Sequence, residues 1–535
     1  MADQLRPLNL SNFTGGLNLR ADAFQLKPEE SPSMLNVDVD PRGGVRSRRG
    51  WERYNSSAIG GTWNPKRLHV WDQPDGSRDV LLVHDAVIMT ASAGTFTQLS
   101  DGSGPVDPAA AGHGADFADW GSKLYIACGK TKQSRSWTGS GNAVKLTASA
   151  TAAWQDDYTT PVGGHFPKCD LVTTYQGYMV AASTNENSTD FPNRVRFSHP
   201  NSPENWAELD YLDIQQGGSK ITGIVAFSDH VVVFKTNSVW AIYGNDAESF
   251  TVVNLTMAVG AIHRNAIAVA EQAVYFYSHP NGVHAYKPGD GIIEVSESLR
   301  PIIDSGDLNA SQLSKVYLGY LNRRLWFSAP YELDAVATDA RSVFVYDPSI
   351  GAWTLYRDAD GDGLGPYATG GSQGDGAILL AAHRVHSYVV QVDHLDDALD
   401  TIDATSVGFD SYYVTPWQHA GWPALRKSWR RPDYIMSEAA AAYTITVDVF
   451  RDYDEVSPRS SHNVLVDTGS TGGTWGTGTW GAPAVWGGTA VRGARLERGG
   501  SIGLARAVQL KFWGQVGKQW GLNGLVMKYR NRRFR

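Results

Sequence analysis

The sequence predicts an all-β chain: a β-propeller of about seven blades, an N-terminal extended arm and a C-terminal β-sandwich. Three observations lead there. A polar turn followed by a short apolar strand recurs between Leu68 and Asp393, as Asp79-Val80-Leu81-Leu82-Val83, Leu124-Tyr125-Ile126-Ala127, Tyr178-Met179-Val180-Ala181, Val231-Val232-Val233-Phe234, Val274-Tyr275-Phe276-Tyr277, Leu325-Trp326-Phe327 and Ile378-Leu379-Leu380-Ala381. Counted from Val80, Leu124, Tyr178, Val231, Val274, Leu325 and Ile378, the steps are 44, 54, 53, 43, 51 and 53 residues, close to what one four-stranded blade with its turns occupies. A following strand also recurs, as Ser238-Val239-Trp240-Ala241-Ile242-Tyr243, Gly282-Val283-His284-Ala285-Tyr286 and Ser342-Val343-Phe344-Val345-Tyr346, with rings at alternate positions where they fill space between blades. Helix signal is nearly absent, the Ala-rich piece from Ser437 to Ala442 being the nearest candidate.

Taken in order, residues 1–60 form a polar arm. It carries Gly15-Gly16-Leu17-Asn18, the alternating Leu35-Asn36-Val37-Asp38-Val39 and a cationic turn from Arg42 to Trp51. Period-2 alternation reads as a strand, and an extended arm that adds a strand elsewhere would close the ring or tie a neighbour. Residues 61–400 hold the repeats. The leader and residues 397–406 leave room for six or eight blades as well as seven. Residues 401–535 break the period. Alternation through Tyr443-Thr444-Ile445-Thr446-Val447-Asp448-Val449-Phe450, Ala507-Val508-Gln509-Leu510-Lys511-Phe512-Trp513 and Gly524-Leu525-Val526-Met527-Lys528-Tyr529 predicts a separate sandwich.

Composition agrees. Of 535 residues only 19% are charged, while 18 Trp, 23 Tyr and 56 Gly favour pleated strands and tight turns. The formal charge of −8 argues against a protein that grips nucleic acid over its whole surface. Cys128 and Cys169, with no CxxC spacing, read as buried free thiols. The N-terminus has no apolar core and no stretch approaches the roughly 18 apolar residues of a membrane span, so neither a signal peptide nor a span is expected.

Several motifs invite chemistry. Asp358-Ala359-Asp360-Gly361-Asp362-Gly363 resembles the start of a calcium loop, making Asp358, Asp360 and Asp362 metal candidates, although the twelfth position is Thr369 and no helices flank it. His383 and His386 are read as lying on opposite faces of one strand with no third ligand nearby, so no metal is expected there. Gly370-Gly371-Ser372-Gln373-Gly374 matches the nucleophile-elbow pattern, but a strand follows where that elbow needs a helix. Gly476-x-Gly478-x-x-Gly481 likewise lacks the strand and helix of a dinucleotide site. No catalytic residue and no cofactor are expected. Trp475, Trp480 and Trp486, spaced five and six apart, form an aromatic comb that would suit glycan contact. Three basic clusters lie outside the repeats: Arg42 to Arg49 in the leader, with Arg46, Arg48 and Arg49; Arg426 to Arg431, with Arg430 and Arg431; and the terminal Lys528, Arg530, Arg532, Arg533 and Arg535. Aromatics interleave with them only around Trp429, so they read as subunit or partner contacts rather than a base-stacking groove.

The leader also carries a resemblance. Gly15-Gly16-Leu17-Asn18, then Leu35-Asn36-Val37-Asp38, then Gly44-Val45-Arg46-Ser47-Arg48-Arg49-Gly50 resemble the opening of bacteriophage tail proteins of the tail-nozzle type, also called tail tubular protein B. Arg49-Gly50 stands where that family commonly has Arg-Pro. The segment from Asp116 to Ala127 is similar to a family segment as well, and the likeness is best over the first 130 residues. The resemblance implies a virion protein, assembled in the host bacterial cytoplasm as a homohexameric ring at the tail tip. It also implies DNA passing through without sequence-specific binding, and fibres or other tail proteins docking outside. A conduit should not hold phosphate tightly, since cationic walls would retain each step, and subunits would meet head to tail around a closed ring. The alternative expectation is a receptor- or glycan-binding tail component using the three tryptophans. A hydrolase built on Asp358, Asp360 and Asp362 is the remainder.

Overall fold

The computed structural model describes residues 5–92, 94–109, 112–146, 166–246, 248–331, 337–371, 376–395, 398–403, 405–437, 442–466 and 494–531. Over these residues the chain is all-β, with one short α-helix, Arg300–Asp304, and brief 3-10 turns. The repeats fold as seven four-stranded antiparallel sheets. Each apolar run noted above is the second strand of its sheet: Arg78–His84, Lys123–Ala127, Tyr178–Glu186, His230–Lys235, Val274–Ser278, Arg324–Ala329 and Ile378–His383. The three aromatic repeats are third strands.

Burial explains why the second strand reads as a continuous apolar run. His230–Lys235 is buried at every position, whereas the outermost strand of the same sheet, Thr251–Thr256, is exposed or half-buried throughout. A strand covered on both faces has no polar side to alternate with. Side chains then split by parity between two neighbours. Leu81 and Val83 pack toward the second sheet, while Val80 and Leu82 pack toward the seventh. Seven such wedges run from the first sheet around to the seventh and back. The first strands follow the same cycle: Pro65–Asp72, Asp116–Trp120, Lys168–Tyr175, Ile221–Phe227, Ile267–Val269, Tyr317–Leu321 and Leu364–Gly370 each neighbour the next, and the last neighbours the first. This is the radial arrangement of a β-propeller. Tight hairpins supply the positive φ such turns require, as at Gln176-Gly177 (φ 44° and 80°) and Asn322-Arg323 (49° and 62°). Cys128 and Cys169 are free and buried.

The leader is woven through the rest. Gly50–Arg53 is the outermost strand of the seventh sheet, antiparallel to Val389–Leu395. Arg6–Leu10 pairs with the C-terminal strand Gly521–Asn531, as does Val45–Ser47. Met34–Leu35 joins a second C-terminal sheet through Tyr412–Val414. That second sheet, completed by Val508–Trp513, Tyr443–Arg451 and Ser460–Val466, faces the first across a shared core in which Tyr434 meets Phe512 edge to face at 5.3 Å. The same core continues into the wedge between the fifth and sixth propeller sheets, through Leu17, Val37, Trp353 and Phe327.

Candidate functional site

The leader arginines part company. Arg46 and Arg49 are exposed, but Arg48 is only 1% exposed and is held within the chain. All five guanidinium N–H groups have acceptors. Nε donates to Asn36 Oδ1 (3.0 Å), one terminal nitrogen to Asp400 Oδ1 (2.9 Å) and the Arg49 carbonyl (2.8 Å), and the other to Asp400 Oδ2 (2.5 Å) and the Arg357 carbonyl (2.9 Å). Trp51 and Phe409 cover its faces at 4.1 and 3.7 Å. Asn36, at φ 52°, adds bonds to the Asp410 carbonyl and from the Arg357 amide. Arg48 is therefore corrected from a partner contact to an internal clasp. One guanidinium ties the leader to the sixth sheet and to the segment entering the C-terminal sheets, a role its cationic neighbours in sequence concealed.

The acidic loop is also occupied from within. Asp358 Oδ1 accepts the amides of Asp360 (3.0 Å) and Asp362 (2.6 Å), and Oδ2 accepts from His383 Nε2 (2.8 Å). Arg341 lies 2.7 Å from Asp362 Oδ1, a charge contact off the hydrogen-bond line. Burial pushes the Asp362 carboxyl up, as does the charge of Asp358. The sequence reading of His383 and His386 is corrected. The strand ends at His383, the chain turns, and His386 folds back so that ligand atoms of Asp358, His383 and His386 lie within 4.8 Å of one another. That triad does not make a metal centre of the ordinary kind. His383 Nδ1 accepts the amides of Val385 (3.2 Å) and His386 (2.9 Å), so its proton sits on Nε2, and a metal there would require an imidazolate. Asp358, Asp360 and Asp362 thus build a capped turn.

Arg430, Arg431 and Lys528 come together with Arg498, which the sequence reading did not single out. They line an open groove of about 410 Å³ on the first C-terminal sheet, with Trp429, Ser428 and Ser501. Asp433 is the one carboxylate in that lining, 2.9 Å from Lys528 and 3.6 Å from Arg498. Arg430 and Arg431 are exposed. Trp475, Trp480, Trp486, Ser372, Arg532, Arg533 and Arg535 lie outside the described residues.

A second cavity, about 350 Å³, opens where the first strands of the propeller sheets begin. Lys66, Lys220 and Lys315 enter it from the first, fourth and sixth sheets, beside His113, His263, Asn64, Asn265, Thr222 and Ser314. Beneath it Arg67 and Arg264 share Asp116, at 3.1 and 3.6 Å. Sequence offered one overlooked signal: Lys66, Lys220 and Lys315 each stand at or just before the first strand of a sheet, and that recurrence marks the axis.

No family model and no curated protein matches this chain. Among solved structures, a crystal structure of BBS1N in complex with ARL6DN is similar over 64% of this chain and 96% of that one, at 12% identity and TM-score 0.36. The computationally designed Ika8 protein is similar over 68% and 98%, at 12% identity and TM-score 0.35. The Pan2 WD40 domain of Neurospora crassa is similar over 64% and 96%, at 10% identity and TM-score 0.38. Likenesses of this size carry no functional reading. No helix among the described residues is long and apolar enough to cross a membrane.

Proposed function

We propose that this chain is a structural subunit of a bacteriophage tail: a seven-bladed propeller clasped to a C-terminal sandwich, assembling side by side into a homohexameric ring at the tail tip. The observation that carries the reading is the use made of the leader. Of the residues in which it resembles nozzle-type tail proteins, Gly16, Leu17, Asn36, Val37, Asp38 and Arg48 are buried, while Arg46 and Arg49 stay exposed. Gly16 packs under Ala352 and Trp353, where an added Cβ would come within 2.7 Å of Ala352 Cβ, and Asn36 and Arg48 hold the clasp around Asp400. A joint of this kind ties propeller and sandwich together, as a ring segment requires.

The conduit would be the hole between subunits. The axial cavity, at about 350 Å³, has the size of a small-molecule pocket rather than a duplex passage. Arg430 and Arg431 are exposed cations available to an acidic face of a neighbour or of another tail protein. Electron microscopy of the recombinant protein tests the proposal. Closed rings or incorporation into tails are expected, and a double charge reversal, Arg430→Glu with Arg431→Glu, should reduce assembly without lowering the melting temperature. A monodisperse monomer that never joins a particle overturns it.

A further inference from the structure

We propose that the axial cavity of the propeller is a binding site for a small, multiply charged oxyanion, of the phosphate-ester or polycarboxylate class. This goes beyond the ring role, which needs no ligand there.

The first argument is charge. Lys66, Lys220, Lys315, Arg67, Arg264 and Arg384 line or underlie the cavity, while the carboxylates set among them are Asp116, Asp170 and Asp339. Those carboxylates are already engaged. Asp116 sits between Arg67 and Arg264 and accepts the Val172 amide at 3.2 Å. Asp339 receives both forks of Arg384 at 2.7 and 3.0 Å and pairs with Lys315 more loosely at 3.8 Å. Asp170 accepts from Ser183 Oγ (3.0 Å) and the Lys130 amide (3.3 Å). Six cations against three carboxylates leave an excess of positive charge around the space, and burial together with Arg384 holds the Lys315 ammonium below its ordinary value. Like charges converge at one place at a cost in stability, and a bound anion would relieve it.

The second argument is hydrogen bonding. His113 Nδ1 lies 2.9 Å from the Ala115 carbonyl and His263 Nε2 lies 3.0 Å from the Leu313 carbonyl. A carbonyl only accepts, so each of those nitrogens carries its proton and the other ring nitrogen is left with a lone pair. Burial lowers both imidazoles, His263 to about 4, so both are neutral at pH 7. The cavity therefore offers ammonium donors for anionic oxygens and two acceptors for hydroxyl or amide hydrogens. The volume suits a ligand, and Thr222, Ser314 and Asn265 add polar groups to a lining that is otherwise largely apolar, as in most ligand sites. Lysine ammoniums act as point charges on such oxygens.

The test titrates the whole chain with inorganic pyrophosphate and, separately, with citrate, following heat and the ¹⁵N-histidine spectrum. The expected result is saturable binding that weakens as salt rises, with His113 and His263 signals moving while those of surface histidines such as His394 stay. Lys220→Ala, at an exposed position, should weaken binding by about tenfold and Lys220→Arg should largely preserve it. Pyrophosphate favoured over citrate assigns the phosphate arm, and the reverse assigns the carboxylate arm. No heat up to millimolar probe, binding untouched by Lys220→Ala and Lys315→Ala, or an acidic peptide binding more tightly than either probe would each overturn the proposal.

Discussion

Replacing Arg48 by Met should destabilise the chain far more than removing any exposed arginine. The side chain is 1% exposed and its partner Asp400 is 2% exposed, so the substitution leaves a buried carboxylate facing a thioether. Breaking a buried pair on one side costs about 3–5 kcal/mol, most of it from the uncompensated charge. Part of Asp400 stays satisfied by the Trp51 amide at 2.9 Å, which places the expectation near the lower end, about 3 kcal/mol. Asp400→Asn should be milder, because a neutral amide still accepts from Arg48 and Trp51. The double variant Arg48→Met with Asp400→Leu removes both charges and should recover a large part of the loss. Urea unfolding gives the free energies, and amide exchange over Gly50–Arg53 reports the strand that completes the seventh sheet. That strand should exchange faster in Arg48→Met before global unfolding. A change below about 1 kcal/mol, with exchange in that strand unaltered, would show that Arg48 holds nothing together.

Other expectations follow from equally local geometry. Gly16→Ala should cost about 2 kcal/mol or more, because φ is 62° and the new Cβ would lie 2.7 Å from both Ala352 Cβ and the Trp353 carbonyl; thermal melting checks it. Burial lowers His263 from 6.5 to about 4, so its neutral ring contributes stability that is full above pH 6.5 and is lost as pH falls from 6.5 toward 4. The largest effect is about 3 kcal/mol. His263→Gln should flatten that stretch of the stability–pH curve, and an unchanged slope would count against it. Adding zinc or calcium should leave the melting temperature within about a degree, since Asp358 and His383 are committed to each other and to backbone amides. His383→Ala should lower it by several degrees, because it strips Asp358 of a donor.

Much of the fold was written in local pattern. A strand packed on both faces must be apolar at every position, so Val231-Val232-Val233-Phe234 and its counterparts showed through at their spacing with no knowledge of what they touched. The leader was legible as an extended piece with a strand in its middle, from Leu35 to Val39, for the same reason: alternation is a property of neighbours in sequence. The candidate sites were not. Arg48 stands in a run of arginines that looks solvated, and only the fold brings Asp400, 352 residues away, against it. His383 reaches Asp358 because the strand stops and the chain turns back. Arg498 joins Arg430, and Lys66 joins Lys220 and Lys315, through pairings between distant strands. Periodicity and side-chain size decide which backbone forms, and they are local. Charge neutralisation, burial and cavity shape depend on distances through space, which no short window of sequence contains, so the clasp, the groove and the axial cavity were decided by the tertiary structure alone.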